Sequence, residues 1–228
     1  MIREIILDTE TTGLSPQGGD RLVEIGCLEL INHLPTGRQY HQYINPEREV
    51  PEEAVRVHGL TYERLKTEPV FAQVADAFLD FVQDSPLVIH NASFDMGFIN
   101  HELGKLGRPP IPMARAVDTV QIARRKFPGA PASLDALCRR FGVDNSGRTF
   151  HGALLDASLL ADVYIELLGG RQVGLTFERT VVNVGGMTVK TETLTVREAR
   201  PHAPTEDELA AHAAFIRKMK TPAIWLQE

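Results

Sequence analysis

The spacing of apolar residues changes part-way along this chain, from a strand-like alternation to a helical period. Ile2-Arg3-Glu4-Ile5-Ile6-Leu7-Asp8 is rich in β-branched residues and ends on a carboxylate, which predicts a central strand. Residues 21–31 and 39–44 predict two more, with the turn residues Leu34-Pro35-Thr36-Gly37 between them, so the chain should open with an antiparallel meander. From there the helical period takes over at 61–66, 70–82 and 96–106, with a short apolar strand, Leu87-Val88-Ile89, between the second and third. Ala116-Val117-Asp118 predicts a fifth strand, and helices follow near 119–126, 133–141 and 152–168. Strands first and alternation afterwards predict an α/β fold, a mixed sheet flanked by helices.

Leu168-Gly169-Gly170 closes the last of these helices with glycine at the expected exit. Beyond it the texture changes. Residues 180–204 are rich in Thr, Val and Gly with little core-like patterning, and they read as linker. Thr205-Glu206-Asp207-Glu208 is a capping box ahead of a short amphipathic helix over 209–220, and Trp225, the only tryptophan, lies near the end. The expected organisation is a domain over 1–170, a peptide and linker over 171–204, and a terminal segment over 205–228.

The 228 residues exceed what one core of about 100–150 residues requires, which agrees with a domain plus an appendage. No apolar run reaches the ~18 residues that would cross a bilayer, and acids interrupt the opening MIREIILDTE too early for a signal peptide. Cys27 and Cys138 form no CxxC pair, which excludes a zinc ribbon or disulfide framework and favours a reducing, cytoplasmic setting. Charge matters more. Residues 1–170 carry 16 basic and 23 acidic groups, while 171–228 carry 8 and 7. A domain so acidic would not hold a long duplex by phosphate neutralisation alone, so metal ions or a partner would have to supply attraction for nucleic acid.

Asp8 and Glu10 alternate on one strand, so their carboxylates share a face roughly 7 Å apart. Followed by Thr11-Thr12-Gly13, they suit oxygen ligation of a hard divalent cation, although a lone DxE is usually a strand end running into a polar turn. Asp95 sits just past the Leu87–Ile89 strand at the start of a helix, where open α/β sheets place their sites; alone it reads as a first-turn acid. His151 and Asp156 are five residues apart, about 140° around a continuous helix, so they converge only if His151 precedes the helix and Gly152 permits the bend. Taken together, four acids in one cleft repel unless cations neutralise them. Two divalent ions about 3.5–4 Å apart would do so, the arrangement for in-line attack at phosphorus, and a neighbouring histidine could take a proton from the attacking water.

Asp8-Thr9-Glu10-Thr11-Thr12-Gly13, Asn91 to Asp95 and His151 to Asp156 resemble, in order and spacing, the three motifs of the DEDDh 3′–5′ exonucleases. Val57-His58-Gly59-Leu60-Thr61 and Ser133-Leu134-Asp135-Ala136-Leu137-Cys138 narrow the resemblance to the branch that proofreads for bacterial DNA polymerase III. The resemblance implies a ribonuclease-H-like mixed five-stranded sheet and two Mg²⁺ or Mn²⁺ ions. Asp8 would bridge both ions, Glu10 and Asp156 would complete the tighter one, and Asp95 would support the second through water. His151 would be the general base. Thr11, Leu14, Glu53 and His58 match positions near the terminal nucleotide, with Leu14 standing where close relatives often carry methionine, and Asn91 and Phe94 would build the cleft wall.

The tail carries a second resemblance. Gln172-Val173-Gly174-Leu175-Thr176-Phe177 is similar to the QxxLxF-type peptides that dock on sliding clamps, with Gln172, Leu175 and Phe177 as contacts. The 205–228 segment resembles the element that binds the polymerase III alpha subunit, through Leu209, Phe215, Ile216 and Trp225. Whether a small theta-like subunit joins them stays open. The leading expectation is a proofreading exonuclease acting on a DNA 3′ end and releasing 5′-monophosphates. An RNA-trimming or repair exonuclease keeps the chemistry and changes the substrate; a non-catalytic scaffold between polymerase and clamp would have been free to lose its acids, and all are present.

Overall fold

A computed structural model describes residues 2–147, 150–170 and 203–218 of the chain. The contacts divide it into two units, Met1–Thr176 and Phe177–Glu228. In the first, three antiparallel strands come first: β1 (Arg3–Thr11), β2 (Leu22–Ile31) and β3 (Leu34–Tyr43). Helices α1 (Glu52–His58), α2 (Tyr62–Leu65) and α3 (Phe71–Val82) lead to β4 (Leu87–Ile89), α4 (Ala92–Lys105) and, after a 3-10 turn, β5 (Ala116–Asp118). Then come α5 (Thr119–Lys126), α6 (Leu134–Phe141) and α7 (Ala153–Leu168). The sheet order is β3-β2-β1-β4-β5, antiparallel on the β2 side of β1 and parallel on the β4 side. This is the mixed five-stranded sheet that the sequence predicts, with β1 at its centre.

Alternation along β1 sends its side chains into two cores. Ile5 and Leu7 pack with Phe71, Phe78, Met96 and Phe98 under α3 and α4. Ile6 packs on the other face with Leu30, Val88, Leu160 and Val163 under α5, α6 and α7. Buried polar links fix the layers. The Tyr164 hydroxyl donates to Glu4 at 2.7 Å, tying the C-terminal half of α7 to the start of β1, and Arg21 forms an ion pair with buried Glu102, tying β2 to α4. Each such bond leaves a buried polar group satisfied rather than orphaned.

The structure and the sequence reading differ at several points: β1 runs on to Thr11, past the expected end at Asp8. The turn between β2 and β3 falls at Asn32-His33, both with positive φ (50° and 64°), as a two-residue hairpin with right-handed strand twist requires. Pro35, Thr36 and Gly37 are therefore inside β3, and a register shift between Leu28 and Leu30 accommodates them. Helix α1 was not anticipated. Helix α4 starts at Ala92 rather than near 96, because Asn91 in the left-handed region (φ 68°) turns the chain directly into it.

In the second unit the described residues form α8 (Glu206–Lys218), which begins three residues earlier than the expected start at Leu209; residues 219 and 220 lie outside the described residues. Its capping box is present: Glu208 N–H donates to the Thr205 hydroxyl at 3.3 Å, and Thr205 N–H donates back to the Glu208 carboxylate at 2.8 Å. Leu209 and Phe215 are 52% and 65% exposed, and Ile216 is half-buried. Gln172, Leu175, Phe177 and Trp225 lie outside the described residues. Among the described residues no helix is long and apolar enough to cross a membrane.

Candidate active site

Alternation places Asp8 and Glu10 on the Ile6 face of β1, toward α7, and Thr9 on the opposite face. Just after Glu10 the β1–β2 register shifts, so that Thr11 pairs with Leu22 across an irregularity, and β1 ends there. The loop beyond is latched by Asp20, whose carboxylate accepts from Ser15 N–H at 3.0 Å and the Thr12 hydroxyl at 3.3 Å and pairs with Arg48 at 3.1 Å. Thr11 is buried, with its hydroxyl donating to the Gly13 carbonyl at 2.6 Å, while Leu14 stands 86% exposed on the loop.

Asp95 arrives from the other side of the sheet. It is buried in the first turn of α4, where the helix dipole favours a carboxylate, and it accepts a 2.7 Å hydrogen bond from the Thr9 hydroxyl. Burial nevertheless dominates. It pushes the Asp95 carboxyl up to about 7 against the pull of the Thr9 bond, and the Asp118 charge adds to the rise.

His151 and Asp156 meet as their spacing requires. Gly152 is the extended N-cap of α7 (φ −153°), His151 precedes it, and Asp156 projects, buried, from the first turn. His151 Nδ1 lies 3.2 Å from Asp156 Oδ2. The histidine is set by the unanticipated helix, for its backbone N–H donates to the Val57 carbonyl in α1 at 3.0 Å. His58 closes α1. Its Nδ1 accepts from Leu60 N–H at 3.0 Å, and burial lowers its pKa below the ordinary imidazole value, opposed by the Thr11 main chain and reinforced by nearby His151. Glu53 is exposed on the same helix.

These elements enclose a cleft of about 270 Å³ whose lining includes Asp8, Glu10, Asn91, Asp95, His151 and Asp156. Oxygen and nitrogen atoms of Glu10, His151 and Asp156 lie within 4.8 Å of one another, so one cation could touch all three. The donor set is hard carboxylate oxygen plus one imidazole, which suits a divalent ion. Thr11, Leu14, Glu53 and His58 are not in that lining; they occupy the end of β1, the loop after it and α1. Phe94 lines the cleft, as expected. Thr9, His90 and Asp135 were not singled out, yet all three line it too. Alternation alone would have found Thr9, since a residue between two same-face acids must serve something on the opposite face. Asp135 could have been read from Ser133, which caps α6 by accepting from Ala136 N–H at 3.3 Å and so fixes the helix turn that carries Asp135.

The Asp95 environment has a measurable consequence in metal-free protein. With its native carboxyl raised from 3.8 to about 7, the folded state binds more protons than the unfolded one between those values, so stability falls as pH rises through that window. In EDTA, the melting temperature should decline from about pH 4 to about pH 7, and Asp95→Asn should flatten that decline. An unchanged slope in the variant would place the pH dependence elsewhere.

Residues 5–164 match the family model described as Exonuclease. The chain is 50% identical over 226 residues to the DNA polymerase III subunit epsilon of Rickettsia conorii, covering 96% of both proteins. It is 41% identical over 237 residues to the protein of that name from Escherichia coli K12, covering 98% of this chain and 97% of that one. Among solved structures, Exonuclease X in complex with 5′ overhanging duplex DNA aligns with TM-score 0.57 and 25% identity, over 72% of this chain and 90% of that one. The nuclease domain of the DEDDh family member 3′hExo aligns with TM-score 0.63 over 73% and 91% of the two chains; at 20% identity this speaks for the fold. With the acids of its cleft in the order and on the elements just described, the chain belongs to the exonuclease family and, within it, to the DNA polymerase III epsilon subunits.

Proposed function

We propose that this protein is the proofreading subunit of a replicative DNA polymerase, a two-metal 3′–5′ exonuclease that removes mispaired 3′-terminal nucleotides as 5′-monophosphates. The observation that carries the chemistry is the convergence of Glu10, His151 and Asp156 within 4.8 Å, in a cleft that Asp8 and Asp95 also line. Divalent ions are the cofactors of the family, and Mg²⁺ or Mn²⁺ fits this donor set. Asp8 would hold both ions, Glu10 and Asp156 one of them, and Asp95 the second through water. When bound, the ions neutralise the repelling acids and the phosphate charge and stabilise the leaving oxygen.

The chain's own groups supply the rest. His151 takes the proton of the attacking water, with Asp156 orienting its ring and stabilising the imidazolium that forms. Thr9 holds the Asp95 carboxyl on the far side of the cleft. Thr11, Leu14, Glu53, His58 and Asn91 receive the terminal nucleotide: His58 and Thr11 as buried groups beside the cleft, Leu14 as an apolar wedge, Asn91 at the turn into α4. Mispaired ends are favoured because a cleft fed by a single strand needs the end unpaired, at a few kcal/mol that a mismatch has already contributed.

The tail would act by tethering. Relatives named as polymerase III subunits support a polymerase contact; α8 offers Leu209, Phe215 and Ile216 for it, and Trp225 would be a further contact residue in the sequence beyond. The peptide Gln172–Leu175–Phe177 would dock on the sliding clamp, and a theta-like subunit is compatible with the same assembly.

Single-turnover hydrolysis of a single strand, a mismatched end and a matched end should proceed in that order of rate, cease in EDTA and cease in Asp8→Ala. His151→Ala should lose about 10²–10⁴ in rate with little change in strand affinity, the contribution of a positioned base. Full activity in EDTA would exclude the metal mechanism, and equal rates at all three ends would exclude proofreading selectivity. An RNA strand cut faster than DNA of the same sequence would favour the trimming reading.

Leu209→Ser with Phe215→Ser should abolish co-elution with the polymerase alpha subunit and leave hydrolysis of free single strands at the wild-type rate. Retained co-elution would move the polymerase contact away from α8.

A further inference from the structure

Strand β2 places a glycine under the start of α7, where a larger residue would be the ordinary choice for a buried strand. We propose that Gly26 is a positioning residue for the catalytic cleft: its missing side chain sets the distance between the sheet and the first turn of α7, and thereby the distance from Asp156 to Glu10. The inference rests on the two-metal reading of that cleft.

Gly26 is the cross-strand partner of Asp8, so the two positions share the face toward α7. A Cβ at 26 would lie 2.3 Å from the Ala153 carbonyl carbon, 2.4 Å from Leu154 N and 2.5 Å from the Ala153 oxygen. All three are backbone atoms, and no rotamer change removes them. Nor does the local conformation call for glycine, since Gly26 is absent from the positive-φ residues of the chain. Space is the whole requirement. The helix cooperates with alanine at two successive turns, Ala153 and Ala157, both fully buried.

Carbon atoms in ordinary contact are about 3.5–4 Å apart, so a methyl at 26 forces the first turn of α7 to withdraw by more than about 1 Å. Asp156 is three residues beyond Ala153 and moves with that turn. Metal–ligand distances tolerate only about 0.2 Å, and an error of about 1 Å at a reacting centre costs about 10²-fold in rate. Charge compounds the effect, because withdrawing Asp156 also takes the positive end of the helix dipole away from the acids of β1.

The test titrates Mn²⁺ into full-length protein, follows free Mn²⁺ by its EPR signal, and compares wild type with Gly26→Ala, Ala157→Val and Val163→Ala. Val163 is buried on the same helix in the α7 core, so its truncation lowers stability by a cavity without lifting the first turn. Gly26→Ala should weaken Mn²⁺ binding at least tenfold, lose the Mn²⁺-induced rise in melting temperature, and lower kcat about 10²-fold with KM for a single strand little changed. Val163→Ala should melt earlier yet bind Mn²⁺ as wild type does. Ala157, one turn beyond Ala153, is buried in the core on the Ile6 face, so Ala157→Val is expected to press α7 off the sheet from the helix side; it should weaken Mn²⁺ binding in the same sense, and it carries the test if Gly26→Ala does not fold. Wild-type Mn²⁺ affinity in the folded position-26 or position-157 variant, or an equal loss in Val163→Ala, would overturn the role of Gly26. Absence of Mn²⁺ binding by the wild type would instead overturn the two-metal reading beneath it.

Discussion

Repulsion between carboxylates is the constraint around which this domain is organised. Asp8, Glu10, Asp95 and Asp156 line one cleft of a domain that is already acidic, and nothing in their own chemistry draws them together. The fold does so by spending apolar burial elsewhere. Two cores clamp β1 from both faces, and helices held by those cores bring their first turns to the end of the strand. Both Asp95 and Asp156 lie in helix first turns, where the dipole offsets part of the like-charge cost. Divalent ions, which the exonuclease family generally uses, would relieve the remainder of that like-charge cost.

The acids also come from opposite sides of the sheet, and each side has its own restraint. Thr9, pointing away from Asp8 and Glu10, holds Asp95. On the other face, the Tyr164–Glu4 bond fixes the far end of α7 and the bare backbone at Gly26 admits the near end. His151 is governed from a third direction by α1, through the Val57 carbonyl. On the proposed reading, a base held by the helix that also carries Glu53 and His58 would couple proton transfer to the strand end those residues are proposed to receive.

Much of this was legible in the chain. The central strand that carries Asp8, the helix following Gly152 and the alternation of later strands and helices all follow from apolar spacing, and the three acidic motifs mark the cleft without any structure. Less legible were features that depend on a neighbour. Helix α1 has seven residues, too few to display a helical period, and its value lies in a carbonyl offered to His151. Pro35, Thr36 and Gly37 are turn formers by local chemistry, yet the Asn32-His33 hairpin had already reversed the chain. Gly26 looks like any strand glycine until the backbone of α7 is seen against it. Local preference gave the elements; close approaches between them had to be observed.

The most direct test of carboxylate repulsion held by the fold and relieved by cations is equilibrium unfolding of wild type and Glu10→Gln, each with EDTA and with Mg²⁺. Without metal, removing one buried charge from the cleft should leave the variant as stable as wild type or more so. With Mg²⁺ the order should reverse, because wild type gains binding free energy that the variant has lost. A Glu10→Gln protein less stable than wild type by the same amount in both conditions would mean that the acids are held by attractive contacts of their own, and the account would be contradicted.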